Sequence, residues 1–275
     1  MTVLEGRGLG TLYGDPCGRC VGLTGEDHGR NRCPECGTIV ACAGVDLSVE
    51  RGEVLGVVGE SGSGKSSLAE RLALERTDGT VRGEVRFEGH AGNLLRADYE
   101  TRHRLRTTGI GLVHQHIRDG LNPEFTGGGN VAEKLLSAGE REFEAVRERV
   151  RTLFEETEIP LDRMDDPTRT YSGGMQRRVQ IARALATDPA VIVLDEPTTG
   201  LDVSVQARVL DTFRRVQREE GVAAVVVSHD LGVVRLLADR TLVMRHGRVI
   251  ESGLTDRIME DPHHEYTQTL INSVI

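Results

Sequence analysis

The chain has 275 residues, 38% of them apolar and 28% charged, the composition of an ordinary globular protein of one or two domains with a well-buried core. Its 34 Lys and Arg stand against 43 Asp and Glu, and the net charge of −9 argues against the clustered cations that non-specific nucleic-acid binding needs. No apolar run approaches the ~18 residues that cross a bilayer, and the start MTVLEGRGLG lacks the regions of a secretory signal, so the expectation is a cytoplasmic chain with no span of its own.

Taken in chain order, the first distinctive segment is residues 14–37, rich in Gly, Cys and Asp and poor in apolar periodicity, which reads as a small loop-rich insert. All five cysteines fall between positions 17 and 42. Cys17-x2-Cys20 and Cys33-x2-Cys36 are two tight knuckles separated by twelve residues. Four thiolates brought together this way form the tetrahedral sulfur set that Zn²⁺ favours, and a metal would stabilise a segment with too few apolar residues to fold alone. Iron, unbound thiols or a redox pair are the other readings. Cys42 is left over in an apolar stretch and reads as a small core residue, with substitution as a metal ligand the other reading.

After the insert the chain alternates short β-branched runs with helix-period segments, which means βαβ units and a parallel sheet. Strands are expected at 54–58, 84–88, 110–113, 191–194 and 223–227, with a hairpin over 241–250 turning at His246-Gly247. Amphipathic helices are expected over 140–156, with Phe143, Val146, Val150 and Leu153 on one face, and over 203–219.

Between the strand 54–58 and a helical pattern running to Arg76 lies Gly59-Glu60-Ser61-Gly62-Ser63-Gly64-Lys65-Ser66, a match to G-x-x-x-x-G-K-[ST]. The glycines let the backbone curl its N–H groups inward around anionic oxygens, and the following helix adds its positive end. Lys65 is then placed to reach β- and γ-phosphates, and the Ser66 hydroxyl to ligate Mg²⁺. The strand 191–194 ends in Asp195-Glu196. Asp195 can hold Mg²⁺ through water, and Glu196 can orient or deprotonate an attacking water.

Between these two elements stands Tyr171-Ser172-Gly173-Gly174-Met175-Gln176 before a helix-forming stretch. It resembles the signature motif of the ATP-binding cassette family, LSGGQ, with Tyr for the leading Leu and Met175 in the fifth place. Gln115 follows a strand as the Q-loop glutamine does, Leu201-Asp202 resemble the D-loop, His229 ends a strand as the switch histidine does, and Tyr13 resembles the aromatic that stacks on adenine. The resemblance covers residues 1–13 and 44–275. It implies a P-loop NTPase of α/β class: a RecA-like core, an antiparallel β subdomain, a helical signature subdomain over 116–186 and, within the domain 1–275, a zinc-ribbon-like insert over 14–43. It implies that ATP is clamped between Gly59 to Ser67 of one subunit and Ser172, Gly173, Gly174 and Gln176 of a second, with Gln115 near Mg²⁺ and His229 at the γ-phosphate. The insert separates Tyr13 from Gly44, a departure from the family pattern that puts the stacking role of Tyr13 in question.

Two subfamilies compete. The tail 261–274 and SGGMQRR resemble peptide and nickel importer ATPases. Val113-His114-Gln115-His116-Ile117-Arg118-Asp119-Gly120-Leu121 resembles the ATP-binding subunits of phosphonate C–P lyase systems, and the Q-loop contacts the partner. The closer resemblance implies an ATPase docked on a soluble C–P lyase core complex; a metal-ribbon scaffold with a decayed nucleotide site is the non-enzymatic alternative.

Overall fold

A computed structural model describes residues 1–75 and 78–273. Arg76, the last residue of the helical pattern after the glycine loop, and Val274 of the tail lie outside them.

The elements run β1 (Thr2–Tyr13), β2 (Ile39–Glu50), β3 (Val54–Val58), α1 (Lys65–Leu72), β4 (Thr80–Phe87), α2 (Tyr99–Arg104), β5 (Ile110–Val113), α3 (Ile117–Gly120), α4 (Gly127–Ser137), α5 (Phe143–Glu156), α6 (Gly173–Leu185), β6 (Val191–Asp195), α7 (Val203–Glu220), β7 (Ala223–Ser228), α8 (Leu231–Leu237), β8 (Arg240–Arg245), β9 (Arg248–Leu254), α9 (Thr255–Glu260) and α10 (Glu265–Asn272). They form a three-stranded antiparallel sheet, β2-β1-β4, and a six-stranded sheet, β5-β6-β7-β3-β8-β9, parallel except for the β8–β9 hairpin.

Strand alternation divides the core. Val191, Val193, Val225 and Val227 pack toward α1 and the antiparallel sheet, whereas Ile192, Leu194, Ala224 and Val226 pack toward α6, α7 and α8. Strands with both faces covered are continuously apolar, which is why VIVL and AAVVV carry no polar alternation. The second cluster continues through Val131, Val150, Leu153 and Phe154, so α4, α5 and α6 are one packed body with the sheet. β3 lies between β7 and β8 although both follow it in the chain, and the loop after β3 opens at the carboxyl edge of the sheet, where such folds bind ligands.

Three local expectations shift. Phe143 sits at the first position of α5 and is 68% exposed, while Val146, Val150 and Leu153 are buried; at the helix start the apolar stripe has not yet turned onto the core. The strand expected at 84–88 begins earlier, at Thr80, because Thr80–Phe87 pairs along β1 on both sides of an irregularity at Gly83. Residues 39–43 of the cysteine segment are the first part of β2, with Tyr13 opposite Ile39, so the cysteines hang on a hairpin-like junction between two long strands.

Candidate nucleotide site and cysteine cluster

The loop after β3 owes its shape to two glycines. Gly59 has φ +151, and a Cβ there would lie 2.1 Å from the Met244 carbonyl oxygen; Gly64 has φ +104, and its Cβ would lie 1.8 Å from that of Ala41. Only glycine lets the loop curl this tightly against β2 and β8. Lys65 opens α1 and is buried, its ammonium donating to the carbonyls of Gly59 at 2.7 Å and Glu60 at 3.0 Å. Burial pushes it below its ordinary pKa, and the negative charges of Glu196, Asp195 and Glu60 oppose that shift. The ammonium thus rests on its own loop, one step from the cleft.

The Ser66 hydroxyl donates to Asp195 Oδ1 at 3.1 Å. Asp195 ends β6, and burial raises its carboxyl to about 6, with the Ser66 hydrogen bond opposing and the neighbouring Glu196 adding to the rise. A hydroxyl and a carboxylate side by side are hard oxygen donors, which fit Mg²⁺ and not a soft metal. Glu196 follows with φ +50, and its N–H donates to the Val227 carbonyl at 2.9 Å. Its carboxylate is nearly buried and faces the end of β7: Oε1 accepts from the His229 backbone N–H at 3.0 Å, and Oε2 lies 2.8 Å from His229 Nδ1.

Lys65, Ser66, Glu196 and His229 line one cleft of about 730 Å³, together with Tyr13, Ser61, Gly62, Ser67 and Gln115, and Asp195 stands behind Ser66. The Tyr13 hydroxyl lies 3.3 Å from Ser67 Oγ, so the ring is placed at the cleft wall despite the long segment that follows it. Five lining residues escape sequence reasoning: Asn31, Ile39, Ala41, Thr199 and Leu270. Ile39 reaches the cleft wall through its pairing with Tyr13 across β1–β2, and Asn31 and Leu270 arrive from other segments by tertiary packing.

The signature turn stands elsewhere. Ser172 caps α6, its hydroxyl accepting from the Met175 N–H at 3.3 Å, and Ser172 and Gly173 are exposed. Gly174 is buried, and a Cβ there would lie 2.3 Å from a Val205 methyl, so α6 and α7 touch through it. Gln176 Nε2 donates to the Thr168 carbonyl at 2.8 Å and fixes the turn. Asp202 caps α7 by accepting from the Val205 N–H at 3.0 Å. None of these five lines the cleft of its own chain.

The four paired cysteines converge. Their Sγ atoms all lie within 4.8 Å of one another, with Cys17–Cys20 at 3.6 Å, Cys17–Cys33 at 3.7 Å and Cys20–Cys36 at 3.5 Å. A disulfide needs about 2.0 Å, whereas metal–sulfur bonds of about 2.3 Å in a tetrahedron leave sulfurs about 3.8 Å apart. None of the five cysteines is joined in a disulfide, and Cys42 is fully buried in the core between the sheets. Cys20 and Cys33 pack with Leu12, Val40 and Ala43, so the cluster shares an apolar floor with β1 and β2.

A strand, a glycine-lined anion cradle with its lysine, and an acid pair at the end of a parallel strand one position further along the sheet define a P-loop nucleoside triphosphatase. The model of the family described as "ABC transporter" matches residues 42–199, and the chain belongs to that family as an ABC-type ATPase that binds and hydrolyses ATP with Mg²⁺. A second model, "AAA domain, putative AbiEii toxin, Type IV TA system", matches residues 167–235. The chain is 51% identical over 84% of its length, and 90% of the relative's, to the Escherichia coli (strain K12) protein named "Putative phosphonates utilization ATP-binding protein PhnK". It is 39% identical over 86% of its length, and 70% of the relative's, to the dipeptide transport ATP-binding protein DppF of Haemophilus influenzae. Among solved structures it is similar to the dimeric post-hydrolysis state of the ATP-binding cassette MJ0796 bound to ADP and Pi, with a TM-score of 0.75 and 26% identity over 92% of this chain and 98% of that one.

Proposed function

We propose that this chain is the ATPase subunit of a phosphonate C–P lyase system, working as a sandwich dimer in the cytoplasm and passing the free energy of hydrolysis to a lyase core complex. The observation that carries the partner assignment is the 51% identity to the phosphonate-utilisation relative against 39% to the dipeptide-transport relative. The Q-loop stretch His114-Gln115-His116 supports it, because that loop is where a partner's identity is read. No helix among the described residues is long and apolar enough to cross a membrane.

In the proposed site, Lys65 turns from the Gly59 and Glu60 carbonyls to the β- and γ-phosphates, which offer it anionic oxygens in place of neutral ones. Ser61, Gly62, Gly64, Ser66 and Ser67 surround the phosphates, and Tyr13 stacks on the base. Ser66, Asp195 and Gln115 hold Mg²⁺, which neutralises charge on the phosphate oxygens. Glu196 takes the proton of the water that attacks the γ-phosphorus; the bond from that phosphorus to the bridging oxygen breaks, and ADP leaves with the oxygen. His229 steadies Glu196 and meets the γ-phosphate. Ser172, Gly173, Gly174 and Gln176, with Asp202 beside them, close the site from a second chain, which agrees with Ser172 and Gly173 being exposed and absent from their own cleft. The cysteine cluster holds one Zn²⁺, as its four converging sulfurs suit.

A pull-down of the tagged chain from cells grown on a phosphonate as sole phosphorus source tests the assignment. Recovery of C–P lyase core subunits is the expected result. Recovery of a membrane permease in their place would transfer the chain to a peptide-type importer, the reading favoured by the resemblance of its 261–274 tail.

A further inference from the structure

The cysteine segment does more than hang from the β1–β2 junction; it reaches the phosphate loop. Asn31 Nδ2 donates to the Gly62 carbonyl at 3.1 Å, and Asn31 itself lines the nucleotide cleft. Gly62 is exposed at the tip of that loop, and a Cβ added there would meet nothing within 4 Å. Asn31 stands two residues before the cluster cysteine Cys33, and its carbonyl accepts from the Val40 N–H at 2.8 Å. The far side of the segment is tied to the hairpin after the hydrolysis strands: Arg248 donates to the Val21 carbonyl at 2.8 Å, and Arg245 pairs with Glu26 at 2.7 Å. The segment is therefore anchored on β8 and β9, knotted at the cysteines, and presents one amide to the loop that must cradle phosphate.

We infer that metal occupancy of the Cys17–Cys20–Cys33–Cys36 cluster sets the nucleotide affinity of the cleft, with Asn31 as the positioning residue that clasps the phosphate loop. The inference rests on the reading that the cluster holds Zn²⁺. Its physical basis is preorganisation. A loop already held in its curled form loses less conformational freedom when phosphates enter. Release of the metal frees the Cys33 knuckle, Asn31 loses its fixed offset from Gly62, and the tip loses its clasp. Coupling of this kind is reciprocal, so nucleotide must also retain the metal.

The test uses the full chain as purified, with zinc measured per chain and MgADP affinity measured by calorimetry before and after a chelator. The zinc-loaded protein is expected to bind MgADP about tenfold more tightly than the stripped protein, the scale of one lost hydrogen bond and its ordering. MgADP is expected to slow zinc transfer to a chromophoric chelator. Asn31→Ala should keep one zinc per chain yet bind MgADP as weakly as the stripped protein, and in that variant nucleotide should no longer slow zinc loss. Asn31→Gln, which retains the amide, should recover part of the coupling. A protein that neither holds nor takes up zinc overturns the metal reading itself. Zinc binding with nucleotide affinity unchanged to within twofold overturns the coupling and leaves the metal site standing. Coupling that survives intact in Asn31→Ala overturns the route through that residue; because this variant keeps its cluster, it remains informative if the stripped chain unfolds.

Discussion

His229 holds Glu196 twice: its backbone N–H donates to Oε1 at 3.0 Å, and its ring Nδ1 lies 2.8 Å from Oε2. The acid is almost buried and the imidazole is largely exposed, with side-chain exposures of 7% and 63%. The pair therefore has an inner member fixed by the end of β7 and an outer member facing the open cleft. A carboxylate held at both oxygens is preset in orientation, which a base needs before a water arrives.

From that geometry, Glu196→Gln should lower kcat for ATP about 100-fold or more, the range that positioned general bases supply, while MgATP binding stays within a fewfold of the parent. The amide is isosteric and can still accept from the His229 N–H at one oxygen. Trapped nucleotide should move the protein to a dimer, seen by light scattering. Parental hydrolysis in this variant would remove Glu196 from the chemistry. His229→Ala should keep the Glu196 backbone clasp and lose the ring, lowering kcat with little change in MgADP affinity.

Asp195 makes the stability of the chain depend on pH. Burial raises its carboxyl from 3.8 to about 6, so the folded chain holds that proton more tightly than the unfolded chain. The cost of carrying the charge is fully present above about 6, and it fades as pH falls toward 3.8. Asp195→Asn should therefore stabilise the nucleotide-free protein at pH 8 by at most about 3 kcal/mol, counting about 1.4 kcal/mol for each of roughly two pKa units. The gain should shrink between about pH 6 and pH 4, read as converging denaturation midpoints. Mg²⁺ competes with the same proton, so Mg²⁺-dependent nucleotide binding should weaken below about pH 6 in the parent. A parent whose binding is flat from pH 8 to pH 5 would contradict the assignment of Asp195 to the ion.

Two glycines of one loop should respond differently to the same methyl group. At Gly64 a Cβ would lie 1.8 Å from the Ala41 carbonyl oxygen, and at Gly62 it would meet nothing within 4 Å; both have positive φ, +104 and +82. Gly62→Ala carries only the conformational cost, about 1–2 kcal/mol. Gly64→Ala carries that cost and a backbone collision that moves the loop off β2. We expect Gly64→Ala to abolish nucleotide binding and to lower Tm more than Gly62→Ala, which should fold and still bind. Equal behaviour of the two variants would mean that the loop is not pressed against Ala41 in solution.

Sequence made the chemistry legible where it is written in contiguous spacing. The glycine loop, the Asp195-Glu196 pair and the cysteine knuckles are short motifs whose residue types follow from what they must touch, and the two strands covered on both faces stand out as unbroken apolar runs. It was poor where partners meet by tertiary packing. Asn31 has no motif of its own and matters only because the cysteine segment folds back over Gly62. Leu270 reaches the cleft from α10, near the far end of the chain. Phe143 satisfied the helical period and still faces solvent, because periodicity specifies a face and not where burial begins.

Arg177 links the signature helix to the Q-loop. It is fully buried, with Nη2 donating to the Gln115 carbonyl at 2.9 Å and Nη1 to the His114 carbonyl and to Gln180 Oε1, the latter at 2.8 Å. Burial lowers its pKa to about 10, so it remains a cation at neutral pH. A guanidinium spans two successive carbonyls where an ammonium cannot, so the loop bearing Gln115 is tied to α6 by a fork. Arg177→Met fills similar space and leaves both carbonyls without that donor, which should cost about 2–6 kcal/mol at roughly 1–3 kcal/mol for each unsatisfied group. Amide exchange over residues 114–118 should accelerate beyond the change elsewhere, and kcat should fall while nucleotide affinity holds. Arg177→Lys should restore part of the stability and little of the loop protection. Uniform destabilisation with no local change at Gln115 would make Arg177 a packing residue and nothing more.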